Sequence, residues 1–97
     1  MTISLSTHVL DTGAGRPAAG VGVELLRDGH ALAAGTTDAD GRIADLGSGL
    51  EPGVYELVFR PETPFFTRVS YEIALEQGHY HVPLLVSPYA CVSYRGS

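Results

Sequence analysis

The sequence predicts an all-β protein, an antiparallel sandwich of about eight short strands with little or no helix. Three observations carry this. Apolar and polar side chains alternate with period two through most of the chain, and no 3.6-residue apolar stripe competes with them. Turn formers are frequent, with 12 glycines and 6 prolines in 97 residues, and they recur between the alternating runs. Charged residues make up only 18% of the chain, too few for a charge-laced helical bundle.

The first strand places Ile3, Leu5, Thr7 and Val9 on one face and Ser4, Ser6 and His8 on the other. Gly13 to Gly20 reads as a loop. A second strand runs through Val21, Val23 and Leu25. Asp28-Gly29 then forms a two-residue hairpin turn, since both residues tolerate positive φ, and the return strand covers about Ala31 to Thr37. Asp38-Ala39-Asp40-Gly41 is a second tight turn that delivers Arg42 to a short strand with Ile43 and Leu46. Gly47-Ser48-Gly49 and Pro52-Gly53 mark the next loop. Tyr55, Leu57 and Phe59 alternate inward, with Glu56 facing away. After a connection bracketed by Pro61 and Pro64, Val69, Tyr71, Ile73 and Leu75 form another inward row, with Arg68, Ser70 and Glu72 outward. Gln77-Gly78 turns into His79 to Val86. Pro83 in that run requires an edge or a bulge, because it has no N–H for a ladder. A last strand spans Tyr89 to about Arg95.

Length and charge bound the function. Ninety-seven residues make one domain, residues 1–97, with a small core that self-association would help. Six Lys and Arg against eleven Asp and Glu give a net charge of −5. That acidic balance disfavours nucleic acid and anionic lipid as partners. No run approaches the roughly 18 apolar residues of a membrane span. The first residues carry no basic segment followed by an apolar one, which points to a cytoplasmic protein. A single cysteine, Cys91, rules out an internal disulfide framework and a thiolate-rich zinc site. It reads as a small apolar member of the last strand.

Two glycine-rich segments fail as motifs. Gly13-Ala14-Gly15 with Gly20 lacks the dinucleotide spacing and no helix follows. Asp38 to Gly41 resembles part of a calcium loop, yet the register would put Thr36 at its first position and Gly47 at its last. The histidines carry more. His79 and His81 are two apart on a strand, so their rings share a face. His8 sits on the polar face of the first strand, and His30 follows a turn into solvent. The pair could hold zinc with a third histidine, serve as acid and base near neutrality, or simply bond water at an edge. Arg42 is either a surface charge or the holder of an anion. On spacing alone, Ser93-Tyr94-Arg95-Gly96-Ser97 is an ordinary chain end.

Several of these segments together resemble one family. Leu5-Ser6-Thr7-His8-Val9-Leu10-Asp11 with Gly15-Arg16-Pro17-Ala18 is similar to the opening of the 5-hydroxyisourate hydrolases, the transthyretin-related proteins. Thr37-Asp38-Ala39-Asp40-Gly41-Arg42 resembles their central arginine motif. His79-Tyr80-His81-Val82-Pro83-Leu84-Leu85-Val86-Ser87-Pro88-Tyr89 and Tyr94-Arg95-Gly96-Ser97 resemble their C-terminal signature. The resemblance implies a prealbumin-like sandwich of two four-stranded sheets, assembled as a homotetramer with active sites in a channel between dimers. It implies a small-molecule substrate, 5-hydroxyisourate from urate oxidation, hydrolysed to 2-oxo-4-hydroxy-4-carboxy-5-ureidoimidazoline without metal or organic cofactor. Carried over by motif, His8, Arg42, His81 and Ser97 are the catalytic set, and Tyr94, Arg95 and Gly96 bind substrate.

The chain departs from the family pattern in two places. Family members usually read Tyr-Gly-Tyr-Ser-Thr-Tyr-Arg-Gly-Ser at the end, whereas Cys91 stands here for an aromatic and Val92 for a polar residue. The connection between Phe59 and Phe66 is also shorter, without room for the short helix of relatives. These departures keep two other readings open, a paralogue acting on a related heterocycle and a non-enzymatic binding protein on the same scaffold.

Overall fold

The computed structural model describes residues 2–96. Ten strands follow in order, β1 (Ile3–Asp11), β2 (Arg16–Pro17), β3 (Gly22–Arg27), β4 (His30–Thr36), β5 (Arg42–Leu50), β6 (Gly53–Arg60), β7 (Val69–Leu75), β8 (Gly78–His81), β9 (Leu84–Ser87) and β10 (Ala90–Ser93). No helix occurs among the described residues. One sheet is antiparallel throughout, in the order β4-β3-β6-β7. In the other, β1 is central. It pairs antiparallel with β5 and the short β2 on one side, and parallel with β8 and β9 on the other, while β10 closes the edge on β9. Because β8 and β9 are one strand broken at Val82-Pro83, this sheet is also four strands wide, with β2 as a two-residue extension.

The alternation of β1 explains the layering. Ile3, Leu5, Thr7 and Val9 are all buried, and with Val23, Leu25, Leu57, Phe59 and Leu84 they fill the space between the sheets. A side chain removed from water in this way contributes roughly 1.5–3 kcal/mol. Thr7 interrupts the apolar row, and its hydroxyl donates to the Val82 carbonyl at 2.6 Å. That bond stitches β1 to the segment where Pro83 cannot supply a ladder N–H. The Asp28-Gly29 turn has φ of 52° and 80°, the signature of the expected primed hairpin.

Three local expectations are corrected. Gly47-Ser48-Gly49 does not leave the sheet. It lies inside β5, where the register against β1 slips between Leu5 and Thr7 and again between Ile3 and Leu5, and glycine absorbs such bulges. The Gly13–Gly20 loop contains the brief β2 pairing Leu10 with Pro17 and Asp11 with Arg16. The pairing of β1 with β8 and β9 is parallel, which period-two alternation cannot distinguish from antiparallel. The connection from Arg60 to Val69 has no helix, as expected.

Candidate active site

The outward face of the β1 sheet gathers the chemistry. Arg42 of β5 is the register partner of His8 on β1. On the other side of β1, Ser4 pairs with His79 and Ser6 with His81 of β8. Neighbours on one face of a sheet have Cβ atoms about 4.5–5.5 Å apart, so Arg42, His8, Ser6, His79 and His81 form one continuous polar row. Strand order alone achieves this convergence.

The turn before β5 fixes His8. Asp38 Oδ1 accepts the N–H groups of Asp40 and Arg42, both at 2.9 Å, and the Val9 N–H donates to the Gly41 carbonyl at 2.7 Å. Gly41 has φ 74°, and a Cβ there would collide with the Val9 carbonyl oxygen. Glycine is therefore required for the turn to lie on β1. The docked turn offers the Asp40 carbonyl to His8 Nε2 at 2.9 Å. A carbonyl only accepts, so His8 carries a proton on Nε2, and in the neutral ring Nδ1 is the acceptor.

His81 is held differently. Its Nδ1 lies 2.8 Å from Ser6 Oγ, and its Nε2 makes no hydrogen bond with any described residue. Partial burial, foremost, and then the neighbouring charges of His8, Arg42 and His79 push the His81 pKa below its ordinary 6.5. The ring is therefore biased toward the neutral form, the form that accepts a proton. The chain end passes directly over it. The Gly96 N–H donates to the His81 carbonyl at 2.6 Å, and a Cβ on Gly96 would stand 2.8 Å from His81 Cδ2. Only glycine allows that approach.

The remaining tail residues go elsewhere. The Arg95 guanidinium stacks on the Tyr80 ring, 4.2 Å from its centroid. Tyr80 is a core residue, so Arg95 reaches the face of β8 opposite the histidines. Tyr94 is half exposed and lines, with Arg95, Tyr71, Ile73 and Tyr80, a groove of about 290 Å³. Of the expected tail positions among the described residues, Gly96 alone is brought to a histidine. Ser97 lies outside the described residues. A larger cavity of about 490 Å³, bounded by Asp11, Glu62 and Pro88, includes none of the histidines or Arg42.

Among the described residues no three His, Cys, Asp or Glu side chains are arranged to hold a metal ion. His79 is engaged by Ser4 and Ser6 instead. Cys91 packs inward against the core, and burial pushes its thiol pKa up, the reverse of an activated nucleophile. Val92, its neighbour, points outward and is 54% exposed. The two altered positions of the last strand thus separate, with Cys91 turned from the histidine face and Val92 on it. Ser4 and Ser6, which bracket the histidines, had no role in the sequence reading. Their alternation with His8 was the available signal, and the parallel partner strand was not.

Known proteins share this architecture. The HIUase/Transthyretin family profile matches residues 5–96. A 5-hydroxyisourate hydrolase of Mesorhizobium japonicum is 45% identical over 113 aligned positions, covering 96% of this chain and 91% of that protein. The structure of Klebsiella pneumoniae 5-hydroxyisourate hydrolase superposes with a TM-score of 0.89 at 38% identity, over 97% of this chain and 98% of that one. Sea bream transthyretin in complex with thyroxine gives 0.85 at 28% identity, over 95% and 93%.

Proposed function

The chain belongs to the HIUase/transthyretin family, and we propose that it is an enzyme hydrolysing 5-hydroxyisourate to 2-oxo-4-hydroxy-4-carboxy-5-ureidoimidazoline in urate degradation. The observation that carries the reading is the single row Arg42, His8, Ser6, His81 on one sheet face, with one ring nitrogen on each of His8 and His81 unbonded by any described residue. Transthyretin shares the sandwich, so the scaffold does not choose between carrier and hydrolase. Paired imidazoles beside a guanidinium favour the hydrolase.

In the proposed mechanism Nε2 of His81 takes a proton from water as the oxygen adds to the substrate's ring carbonyl. His81 suits the base role because no described residue bonds its Nε2 and its neutral form is favoured. Arg42 stabilises the negative charge that develops on the carbonyl oxygen. The tetrahedral adduct then breaks its C–N bond, and the leaving ring nitrogen takes the proton from His81. His8, held by Asp40, presents Nδ1 as an acceptor that orients a substrate N–H. Gly96 keeps the tail against His81. Arg95 anchors the tail from behind through Tyr80. No metal or organic cofactor has a place in this scheme.

The histidine row lies on an open sheet face that continues into Leu10, Leu85 and Val92, an apolar strip set by the pairings Leu10 with Leu85 and Leu85 with Val92. Such a face supports a homotetramer in which copies cover one another's rows and turn an open surface into a channel. We propose a cytoplasmic enzyme of one domain over residues 1–97; no helix among its described residues is long and apolar enough to cross a membrane. The test is the absorbance decay of freshly generated 5-hydroxyisourate with and without chelator. Catalysed decay insensitive to chelator is expected. Decay at the spontaneous rate refutes the activity and leaves the related-heterocycle and carrier readings.

A further inference from the structure

The row contains a hydrogen-bonded chain that the mechanism above does not use. Ser4 Oγ lies 2.7 Å from His79 Nδ1. Ser6 Oγ lies 2.9 Å from His79 Nε2 and 2.8 Å from His81 Nδ1. One hydroxyl therefore stands between two imidazoles. A hydroxyl has a single proton, so the two ring nitrogens facing Ser6 cannot both accept from it. A neutral imidazole likewise has a single N–H, so the polarity adopted at one end constrains the rest. When Ser6 donates to His79 Nε2, His79 donates Nδ1–H to Ser4, and His81 donates Nδ1–H to Ser6. His81 Nε2 is then a bare lone pair. When every bond reverses, Ser6 donates to His81 Nδ1, and Nε2 of His81 carries the proton. These are the base and acid forms of one nitrogen, reached without moving the ring.

We propose that Ser6 is a positioning residue that sets the tautomer of His81, and that His79 is the proton store at the far end of the relay. The proposal rests on the hydrolase reading of the site. As water adds to the carbonyl, its proton arrives at His81 Nε2. The Nδ1 proton of His81 passes to Ser6 Oγ, and the proton of Ser6 passes to His79 Nε2, which becomes an imidazolium. When the leaving ring nitrogen takes the Nε2 proton of His81, the transfers reverse and each group regains its starting proton. The store belongs on His79 for an electrostatic reason. His79 is exposed, so water solvates its charge, whereas His81 is half-buried and faces both His8 and Arg42. A cation on His81 would add to the positive charge already next to it.

The test combines turnover with nitrogen-15 spectra of the substrate-free protein, which report the protonated nitrogen of His81. Ser6→Ala is expected to lower kcat about 10–100-fold with KM changed less than about twofold, and Ser6→Thr, which keeps the hydroxyl, to restore kcat to within about threefold. The parent is expected to hold His81 as the Nδ1–H tautomer, and Ser6→Ala to shift it toward Nε2–H. Parent-like kcat in Ser6→Ala, an unchanged His81 tautomer, or a Ser6→Thr variant no better than Ser6→Ala overturns the proposal. A parent with the Nδ1–H tautomer that leaves 5-hydroxyisourate unhydrolysed refutes the substrate and leaves the tautomer assignment standing.

Discussion

Each histidine on the active face is defined by what the other side of its ring touches. Asp40 accepts from His8, Ser6 meets His81, and the two rings consequently expose different nitrogens. The sign of the His81 shift then predicts a pH dependence. Burial first, and next His8, Arg42 and His79, lower its pKa from 6.5. The acid limb of kcat/KM should therefore have its midpoint below pH 6.5, because the free enzyme's base stays neutral further into acid. Arg42→Gln removes one of the charges, so the midpoint moves up toward 6.5 even as the remaining rate falls about 10²–10³-fold through loss of oxyanion stabilisation. An NMR titration of the His81 ring in both proteins checks the direction, and an unmoved midpoint sinks the attribution to Arg42. The same shift has a stability sign. The unfolded chain binds the His81 proton more tightly, so the contribution is intact above pH 6.5 and is lost as pH falls toward the folded value.

At the scale of elements, the turn between β4 and β5 does more for the site than its loop position suggests. Gly41 is pinned by its positive φ and by the Val9 carbonyl, and the same contact positions the Asp40 carbonyl for His8. Gly41→Ala is expected to destabilise the protein by about 2 kcal/mol or more, and to cost activity through His8 even below the melting transition. Thermal unfolding together with turnover at a temperature where the variant is folded checks both halves. This turn was legible in the sequence as Asp38 to Gly41, since its residues state their geometry locally. So were the inward rows of β1, β3, β6 and β7, because burial imposes period two. Beyond the β3–β4 hairpin, the strand partners were not legible. That β8 lies parallel to β1, putting Ser6 between His79 and His81, depends on a long-range register that no local run encodes. Nor could alternation trace the tail past Ser93, where the strand ends and Arg95 swings onto Tyr80. The resemblance to a family named His8, Arg42 and His81. It carried no information on which ring nitrogen each would present.

For the molecule as a whole, the question is what covers the histidine face. The sandwich satisfies its interior, with no buried side-chain polar atom unpartnered among the described residues. Its outward row is another matter. Val92 is 54% exposed and continues the row's apolar end through Leu85 and Leu10, and a hydrolysis that stabilises developing charge gains from excluding bulk water. A second copy laid on this face would bury the strip and enclose both rows. A carboxylate at its centre opposes that association twice, by desolvation and by repulsion between copies that each carry net charge −5. Val92→Glu is therefore expected to shift the sedimentation mass to smaller species and to lower kcat/KM about tenfold or more, in proportion to the dissociated fraction. Leu32→Glu supplies the control, since Leu32 is 52% exposed on β4 of the other sheet, and it should alter neither mass nor turnover. If Val92→Glu keeps the parent mass, this face does not join copies of the chain. If it dissociates but retains full turnover, the row works uncovered, and the channel has no part in the chemistry.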